Sequence, residues 1–197
     1  MFTGIIEEVG KVNQIKQEGS NYHFYIEAKI ASELKVDQSV AHNGVCLTVV
    51  NCEKNSYQVT AIKETLDKTN LGSWKVGTEV NLERGMKMNA HLDGHIVQGH
   101  VDQVATCTQV KTEDGSWVFS FEYLPEQQNV TIEKGSITIN GVSLTVVNSG
   151  LNSFSVAIIP YTYDHTNFNT LEEGDVVNLE FDVIGKYVKR LLEIQKQ

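Results

Sequence analysis

The feature that most constrains the fold of this chain is a long internal repeat. Residues 43–51 read NGVCLTVVN and residues 140–148 read NGVSLTVVN, so eight of nine positions are identical at an offset of 140 − 43 = 97 residues. The one difference places Ser143 where the first copy has Cys46. Solenoid units repeat every 20–50 residues or so, whereas a unit this long can form a small domain of its own. The repeat therefore predicts two similar domains whose chemistry differs.

The correspondence extends over most of both halves. The offset of 97 also relates Thr65, Asp67, Thr69 and Asn70 to Thr162, Asp164, Thr166 and Asn167, and relates Gly77, Val80, Asn81, Leu82 and Glu83 to Gly174, Val177, Asn178, Leu179 and Glu180. Upstream the offset is 95, which aligns Gly4 with Gly99 and Phe24 with Phe119. We predict a first domain over residues 1–95, a second over 96–182 and a separate tail over 183–197.

Composition excludes several classes of function. The formal net charge is −9 and no cluster of cations stands out, so nucleic-acid binding is disfavoured. No apolar run approaches the length of a membrane span, and the N-terminus lacks a signal-peptide pattern, so we expect a cytoplasmic protein with no membrane partner. The three cysteines show no CxxC spacing, which favours reduced thiols over disulfides or a zinc site.

Each half reads mainly as short strands. Strand patterns fall at 22–28, 45–50, 57–62 and 75–83, and again at 117–123, 136–147, 154–159 and 175–181. Single helical turns are predicted at 30–34, 64–69 and 161–166. About six short strands with small helical corners favour a closed barrel, because closure removes exposed sheet edges. With few prolines and no linker-like stretch, the two halves should pack closely together.

The tail is predicted to be an amphipathic helix. Apolar side chains recur at i, i+3 and i+4 from Val183 to Leu192. This helix has no counterpart after the first half. It either packs on its own barrel or forms an oligomer contact.

The repeated segments each place two small reactive side chains on one side of a strand. Cys46 and Thr48 are two residues apart, as are Ser143 and Thr145, so each pair shares a face. A thiol or hydroxyl pair of this kind suits a polar heterocycle with ring nitrogens and carbonyls. The alternative is that Cys46 is simply a small buried residue, as free cysteines often are.

Three histidines lie close together at His91, His95 and His100. Their spacing lacks the HExxH order and the stretch contains two glycines, so a metal site is disfavoured. His100 aligns with Ile5 of the first copy, and an imidazole there could exchange protons near neutral pH. The alternative is a hydrogen-bonded structural histidine. Neither GxGxxG nor GxxxxGK[ST] occurs, which disfavours NAD-dependent and phosphoryl-transfer chemistry.

Several motifs in order along the whole chain carry a family resemblance. The opening MFTGII, the AHNGVCLTV block at 41–49, KETL at 63–66, GHIVQGHVD at 94–102 and GVSLTV at 141–146 together resemble riboflavin synthase. The resemblance implies an all-β fold of two tandem six-stranded antiparallel Greek-key barrels followed by a C-terminal helix that holds a homotrimer together. It implies one 6,7-dimethyl-8-ribityllumazine per barrel, with the first barrel of one subunit facing the second barrel of a neighbour.

The implied reaction is a dismutation without cofactor or metal. One lumazine gives a four-carbon unit to the other, yielding riboflavin and 5-amino-6-(D-ribitylamino)uracil. One molecule must lose a proton from its acidic C7 methyl group and the other must accept a nucleophile at C7, so two identical pockets could not favour both roles.

The resemblance also implies the site residues. The first-barrel pocket is expected to use Gly4, Ile5, Ile6, Ser39, Cys46, Leu47, Thr48, Thr60, Ala61, Ile62, Lys63, Glu64 and Thr65. The second is expected to use Gly99, His100, Val101, Lys134, Ser143, Leu144, Thr145, Ala157, Ile158, Ile159, Pro160, Tyr161 and Thr162. The expected catalytic groups are Cys46, His100 and Ser143, as proton carriers, as the nucleophile at C7 or as its activator; water is the other possible nucleophile.

One residue departs from the family pattern, and one rival function is implied. Asn140 stands where many relatives carry Asp, so any proton transfer by that carboxylate is absent here, although the amide could hold the ring or ribityl chain. The same duplicated fold occurs in fluorescent lumazine or flavin carriers that bind one chromophore and do no chemistry. Those carriers tend to lose the reactive residues that this chain keeps.

Overall fold

The computed structural model describes residues 1–125 and 129–195 and folds into two closed six-stranded barrels and a terminal helix. The first barrel contains β1 (Glu8–Glu18), β2 (Asn21–Glu27), β3 (Ser39–His42), β4 (Val45–Cys52), β5 (Ser56–Ala61) and β6 (Glu79–Arg84). The second contains β7 (Gln103–Glu113), β8 (Ser116–Tyr123), β9 (Ser136–Ile139), β10 (Val142–Val147), β11 (Ser153–Ile158) and β12 (Val176–Phe181). Three α-helices are described, α1 (Lys63–Lys68), α2 (Pro160–His165) and α3 (Val183–Gln195).

The two barrels share one topology. The order around the first is β1-β2-β5-β4-β3-β6, and the second repeats it as β7-β8-β11-β10-β9-β12, with every paired strand antiparallel. In each barrel three hairpin-connected strands are followed by a fourth that returns beside the first of them, which is a Greek key. The predicted all-β double barrel with a C-terminal helix is confirmed.

Several local expectations need correction. The strand predicted over 136–147 is two strands, because Asn140 and Gly141 adopt positive φ values of 45° and 81° and turn the chain into a tight hairpin. The short β3 and the long β1 and β7 were not predicted. The outer halves of β1 and β7 are solvent-exposed and rich in polar residues, so they lack the alternation typical of a half-buried strand.

Each barrel interior is filled by alternate side chains of its strands. In the first barrel these include Phe24, Ile26, Val49 and Leu82, and in the second Phe119, Phe121, Ile139 and Leu179, all fully buried. The opposite faces of the same strands point outward. This inward–outward alternation decides which repeated residues remain available for a ligand.

Buried asparagines join the barrels about a local two-fold axis. The Asn81 side-chain amide donates to the Asn140 carbonyl oxygen at 3.0 Å, and Asn178 donates to the Asn43 carbonyl oxygen at 2.9 Å. A Cβ added to Gly141 would lie 2.8 Å from the Gly44 nitrogen, so only glycine allows this approach. The predicted close packing of the two halves is confirmed.

Helix α3 leaves its apolar side chains uncovered. None of its described side chains is buried, and Tyr187, Leu191 and Ile184 are each at least 60% exposed. One ion pair, Lys186 Nζ to Asp102 Oδ2 at 2.7 Å, ties the helix to the second barrel. The alternative in which the helix buries its apolar face on its own barrel is therefore wrong. Within the described ranges, no helix has the length and apolarity needed to span a membrane.

Candidate active site

The repeated reactive residues lie on the outer faces of the two barrels. On β4, Val45, Leu47 and Val49 point into the core while Cys46 and Thr48 point outward. Strand β10 places Ser143 and Thr145 in the same way. The prediction that each pair shares one strand face is confirmed. Each barrel therefore has an outer site next to its third and fourth strands, which we call the Cys46 site and the Ser143 site.

The segments that precede each barrel are exchanged between these sites. The Cys46 N–H donates to the Gly99 carbonyl oxygen, and the Ser143 N–H donates to the Gly4 carbonyl oxygen, both at 2.8 Å. Val101 packs against the first-barrel core and Ile6 against the second-barrel core.

This exchange corrects the expected division of residues between pockets. Gly4, Ile5 and Ile6 belong with Ser143, whereas Gly99, His100 and Val101 belong with Cys46. The physical reason is that each segment crosses the junction before entering its own first strand. Local sequence spacing carries no signal of such a crossing.

Two buried glutamates hold the exchanged segments in place. Glu83 accepts hydrogen bonds from the Thr3 N–H at 2.6 Å, the Thr3 hydroxyl at 2.7 Å and the Gly4 N–H at 2.9 Å. Glu180 accepts from the N–H groups of Gln98, Gly99 and His100 at 2.6, 2.9 and 3.0 Å. Burial raises the pKa of both carboxyls, and the N–H donors oppose that rise. In the sequence, Glu83 and Glu180 stand out only as residues related by the offset of 97 on the last strand of each half.

The environments of Cys46 and Ser143 differ sharply. Cys46 is half-buried against an apolar cluster of Phe2, Ala41 and Val97. Ser143 instead contacts an imidazole, because its Oγ lies 2.7 Å from His95 Nδ1. The position equivalent to Ala41 (41 + 97 = 138) is Thr138, whose Oγ1 lies 3.1 Å from His95 Nε2.

Further differences appear along the outer faces. In the first barrel the Thr60 hydroxyl lies 2.9 Å from His23 Nδ1, and His23 Nε2 lies 3.1 Å from Glu18. The aligned residues in the second barrel are Ala157 and Val118, which pair across β11 and β8 without polar groups. The expected second-site residue Lys134 corresponds to Asp37 (134 − 97), and both have positive φ. The two sites therefore differ in charge as well as in reactive group.

The remaining predicted residues surround the two sites in different ways. Ser39 pairs with Thr48 across β3 and β4. Leu47, Ala61 and Ile158 have buried side chains and can meet a ligand only through their backbone. Other predicted residues lie at the starts of the two short helices. The start of α1 contains Ile62, Lys63, Glu64 and Thr65, and the start of α2 contains Ile159, Pro160, Tyr161 and Thr162. Lys63 and Glu64 form surface ion pairs with Asp67 and Lys68. Leu144 packs partly buried against the second core.

Two predicted polar residues differ in their placement. His100 has an exposed side chain and a backbone fixed by Glu180, on the Cys46 side of the junction. Asn140 is buried at 4% exposure, and its Oδ1 accepts the Asn178 N–H at 2.9 Å. The Asn140 carboxamide oxygen therefore serves the junction between the barrels.

The histidine-rich stretch does not gather into a metal centre in the described part of the chain. Within residues 1–125 and 129–195, no group of three or more His, Cys, Asp or Glu side chains is arranged to hold an ion. His91 is exposed, and His95 is engaged by Ser143 and Thr138. Burial lowers the pKa of His95, and nearby Asp182 partly opposes that shift.

Comparison with known proteins agrees with the duplicated architecture. A family model described as the lumazine binding domain matches residues 3–85 and again residues 98–182. The structure of LumP complexed with 6,7-dimethyl-8-(1'-D-ribityl) lumazine is similar, with a TM-score of 0.83, 23% identity, and coverage of 92% of this chain and 99% of that one. The fold and the two outer sites define a protein built from two lumazine-binding domains.

Sequence relatives narrow that class. The chain is 42% identical to riboflavin synthase of Actinobacillus pleuropneumoniae over 98% of its length and 90% of that protein. It is 39% identical to riboflavin synthase of Bacillus amyloliquefaciens over 100% of its length and 92% of that protein. The chain belongs to the riboflavin synthase family.

Proposed function

We propose that this chain is an enzyme that converts two molecules of 6,7-dimethyl-8-ribityllumazine into riboflavin and 5-amino-6-(D-ribitylamino)uracil. The reaction transfers a four-carbon unit between identical molecules, so the products together contain all atoms of the two substrates. No external oxidant, cofactor or metal is required by that balance. The observation that carries the proposal is the presence of two outer sites with the same backbone and unlike reactive groups.

The unlike sites match the two roles that the reaction needs. One bound lumazine must lose a proton from its C7 methyl group, and the other must be attacked at C7. In the proposed enzyme, Cys46 and His100 serve one lumazine while Ser143 serves the other. The exchange of segments supports this grouping, because Gly99 contacts Cys46 and Gly4 contacts Ser143 through their backbones.

We further propose a cytoplasmic homotrimer in which the Cys46 site of one subunit faces the Ser143 site of another. Thr48 and Thr145 are exposed in the single chain, so each site is an open surface that a second subunit can cover. The uncovered apolar face of α3 supports its use as the trimer contact. We propose the domain limits 1–95, 96–182 and 183–197, with two barrels that carry the sites and a tail that carries the trimer contact.

Turnover of a single substrate tests the proposal. The purified chain is incubated with 6,7-dimethyl-8-ribityllumazine alone. Riboflavin is followed by its absorbance at a visible wavelength that the lumazine does not absorb. We expect riboflavin to accumulate over many turnovers. A stable fluorescent lumazine complex without riboflavin would instead support the alternative function, a non-catalytic carrier.

A further inference from the structure

A half-buried imidazole contacts the reactive side chain of the second barrel. His95 Nδ1 is 2.7 Å from Ser143 Oγ, and His95 Nε2 is 3.1 Å from Thr138 Oγ1. Thr138 is 1% exposed, whereas Ser143 and His95 are half-buried. Thr138 and Ser143 lie opposite each other on β9 and β10, and the His95 ring bridges their two hydroxyl groups.

Two glycines allow the backbone to approach Ser143 closely. A Cβ added to Gly94 would lie 3.0 Å from Ser143 Oγ, and one added to Gly4 would lie 2.6 Å from Ser143 Cβ. Gly94 and His95 are consecutive, so the segment that carries the imidazole lies against the serine. The Ser143 side chain has little freedom to rotate away from His95.

The distances favour one arrangement of protons. Hydrogen bonds donated by O–H groups are typically shorter than those donated by N–H groups. The Ser143 hydroxyl is then the donor to Nδ1, and Nε2–H donates to Thr138. Burial lowers the pKa of His95, which favours the neutral ring in which Nδ1 can accept. This leaves the lone pairs of Ser143 Oγ directed at the outer site.

Among the described residues, no equivalent of this arrangement surrounds Cys46 in the first barrel. Ala41 occupies the place of Thr138, and Phe2 and Val97 complete an apolar surround. The His100 imidazole on that side is exposed. Among the described residues, the histidine-bridged pair is thus specific to the Ser143 site.

We propose that His95 is a positioning residue of the Ser143 site, which acts through Ser143 by holding its hydroxyl proton and orienting its oxygen toward the bound lumazine. This inference rests on the proposed function. Thr138 in turn sets the orientation of the ring. His95 acts through Ser143 and makes no contact of its own with the reacting atoms.

Two substitutions of His95 separate this role from a general structural one. In His95→Asn the side-chain amide reaches the place of Nδ1, so it can still accept from Ser143. In His95→Gln the amide reaches the place of Nε2, so the bond to Thr138 is kept and the bond to Ser143 is lost. His91→Gln, in the same stretch but exposed, is the matched control.

The expected results are specific. His95→Gln should lower kcat by about tenfold with KM within about twofold, as expected for loss of one hydrogen bond that orients a reacting group. His95→Asn should stay within about threefold of the parent, and His91→Gln should not differ from it. Because His95 acts through Ser143, the double variant Ser143→Ala with His95→Gln should be no slower than Ser143→Ala alone.

Several outcomes would overturn the inference. Parent-like turnover of His95→Gln would do so, as would losses that multiply in the double variant. A fall in thermal stability together with equal losses in kcat and lumazine affinity would show a structural role instead. A parent chain that makes no riboflavin would refute the proposed function itself and this inference with it.

Discussion

Single residues distinguish the two halves of this molecule while the backbone stays the same. Cys46 and Ser143 occupy equivalent places on β4 and β10, yet one lies against apolar side chains and the other against His95. This difference in neighbours adds to the exchange of sulfur for oxygen. It gives each site a distinct capacity to hold or move a proton.

Replacing Cys46 tests its role at this scale. We expect Cys46→Ala to lower kcat by about tenfold or more while the Kd for lumazine changes by less than about threefold, because the role proposed for the thiol is in the reaction and not in binding. Cys52→Ala is the control, since Cys52 is a half-buried thiol of the same strand that lies away from the site. Steady-state kinetics and fluorescence titration provide the two numbers. Equal losses in both would mean that Cys46 only lines the pocket.

The buried histidine His42 gives the stability of the first barrel a pH dependence. Burial lowers its pKa from 6.5 to about 4, and its ring nitrogens bond Val40 O at 3.0 Å and the Tyr57 hydroxyl at 2.8 Å. The unfolded chain therefore binds this proton more tightly than the folded chain. The contribution to stability is complete above pH 6.5 and is lost as the pH falls toward 4, by about 1.4 kcal/mol per pH unit.

Denaturant unfolding at several pH values tests this dependence. The double variant His42→Ile with Tyr57→Phe copies the second barrel, which has Ile139 and Phe154 at these positions. We expect its free energy of unfolding to fall less steeply than that of the parent between pH 6.5 and 4. Glu83 and Glu180, whose pKa values burial raises, act in the opposite direction but are common to both proteins and cancel. Parallel curves would contradict the assignment to His42.

At the scale of elements, the outer sites depend on segments that are not strands. The backbone of residues 98–100 is attached to the end of the second barrel by Glu180, and this segment then contacts β4 of the first barrel. A glutamate on the last strand of each barrel therefore sets the position of a site residue in the other barrel.

Replacing Glu180 by glutamine should loosen this attachment. Glutamine keeps the shape but turns one acceptor oxygen into a donor that faces the N–H groups of Gly99 and His100. We expect Glu180→Gln to lower the free energy of unfolding by about 2 kcal/mol, within the range for hydrogen bonds to charged groups. Hydrogen exchange at residues 98–100 should accelerate. Glu122→Gln on the exposed face of β8 is the control, and an equal effect of both changes would rule out the attachment.

The elements also show which features the sequence could predict. The β4 and β5 strands and the three helical turns near residues 30, 64 and 161 follow from local patterns and were predicted close to their bounds. The exchange of the segments before each barrel was not, because it depends on contacts between halves that no local pattern records. His95 was weighed only as a metal ligand, because its link to Ser143 spans 48 residues and depends on how the chain folds. Its sequence signal is its place in the GHIVQGHVD segment at 94–102, one of the motifs that carry the family resemblance.

At the scale of the whole molecule, the apolar face of α3 is exposed and could be covered by a second subunit. Leu191 is 60% exposed on this helix, and a groove of about 580 Å³ lies between α3 and the second barrel. A trimer built on α3 would bury this face and bring the Cys46 site of one subunit to the Ser143 site of the next.

A charge on this face of α3 tests the proposed trimer. We expect Leu191→Glu to shift the mass in solution from that of three chains to that of one, because a carboxylate cannot be buried there without a partner. Activity should fall with the trimer. Gln195→Glu, which adds the same charge near the helix end, should leave the trimer intact, and analytical ultracentrifugation reports both. A trimeric Leu191→Glu chain would show that α3 is not the contact.

The balance of products tests the central claim most directly. The purified chain is given 6,7-dimethyl-8-ribityllumazine as its only reactant, without oxygen, metal or added cofactor, and all three compounds are quantified by chromatography. Two unlike lumazine sites predict one riboflavin and one 5-amino-6-(D-ribitylamino)uracil for every two lumazines consumed. Lumazine that stays bound and unchanged, or riboflavin formed without an equal amount of the pyrimidine, would contradict the account.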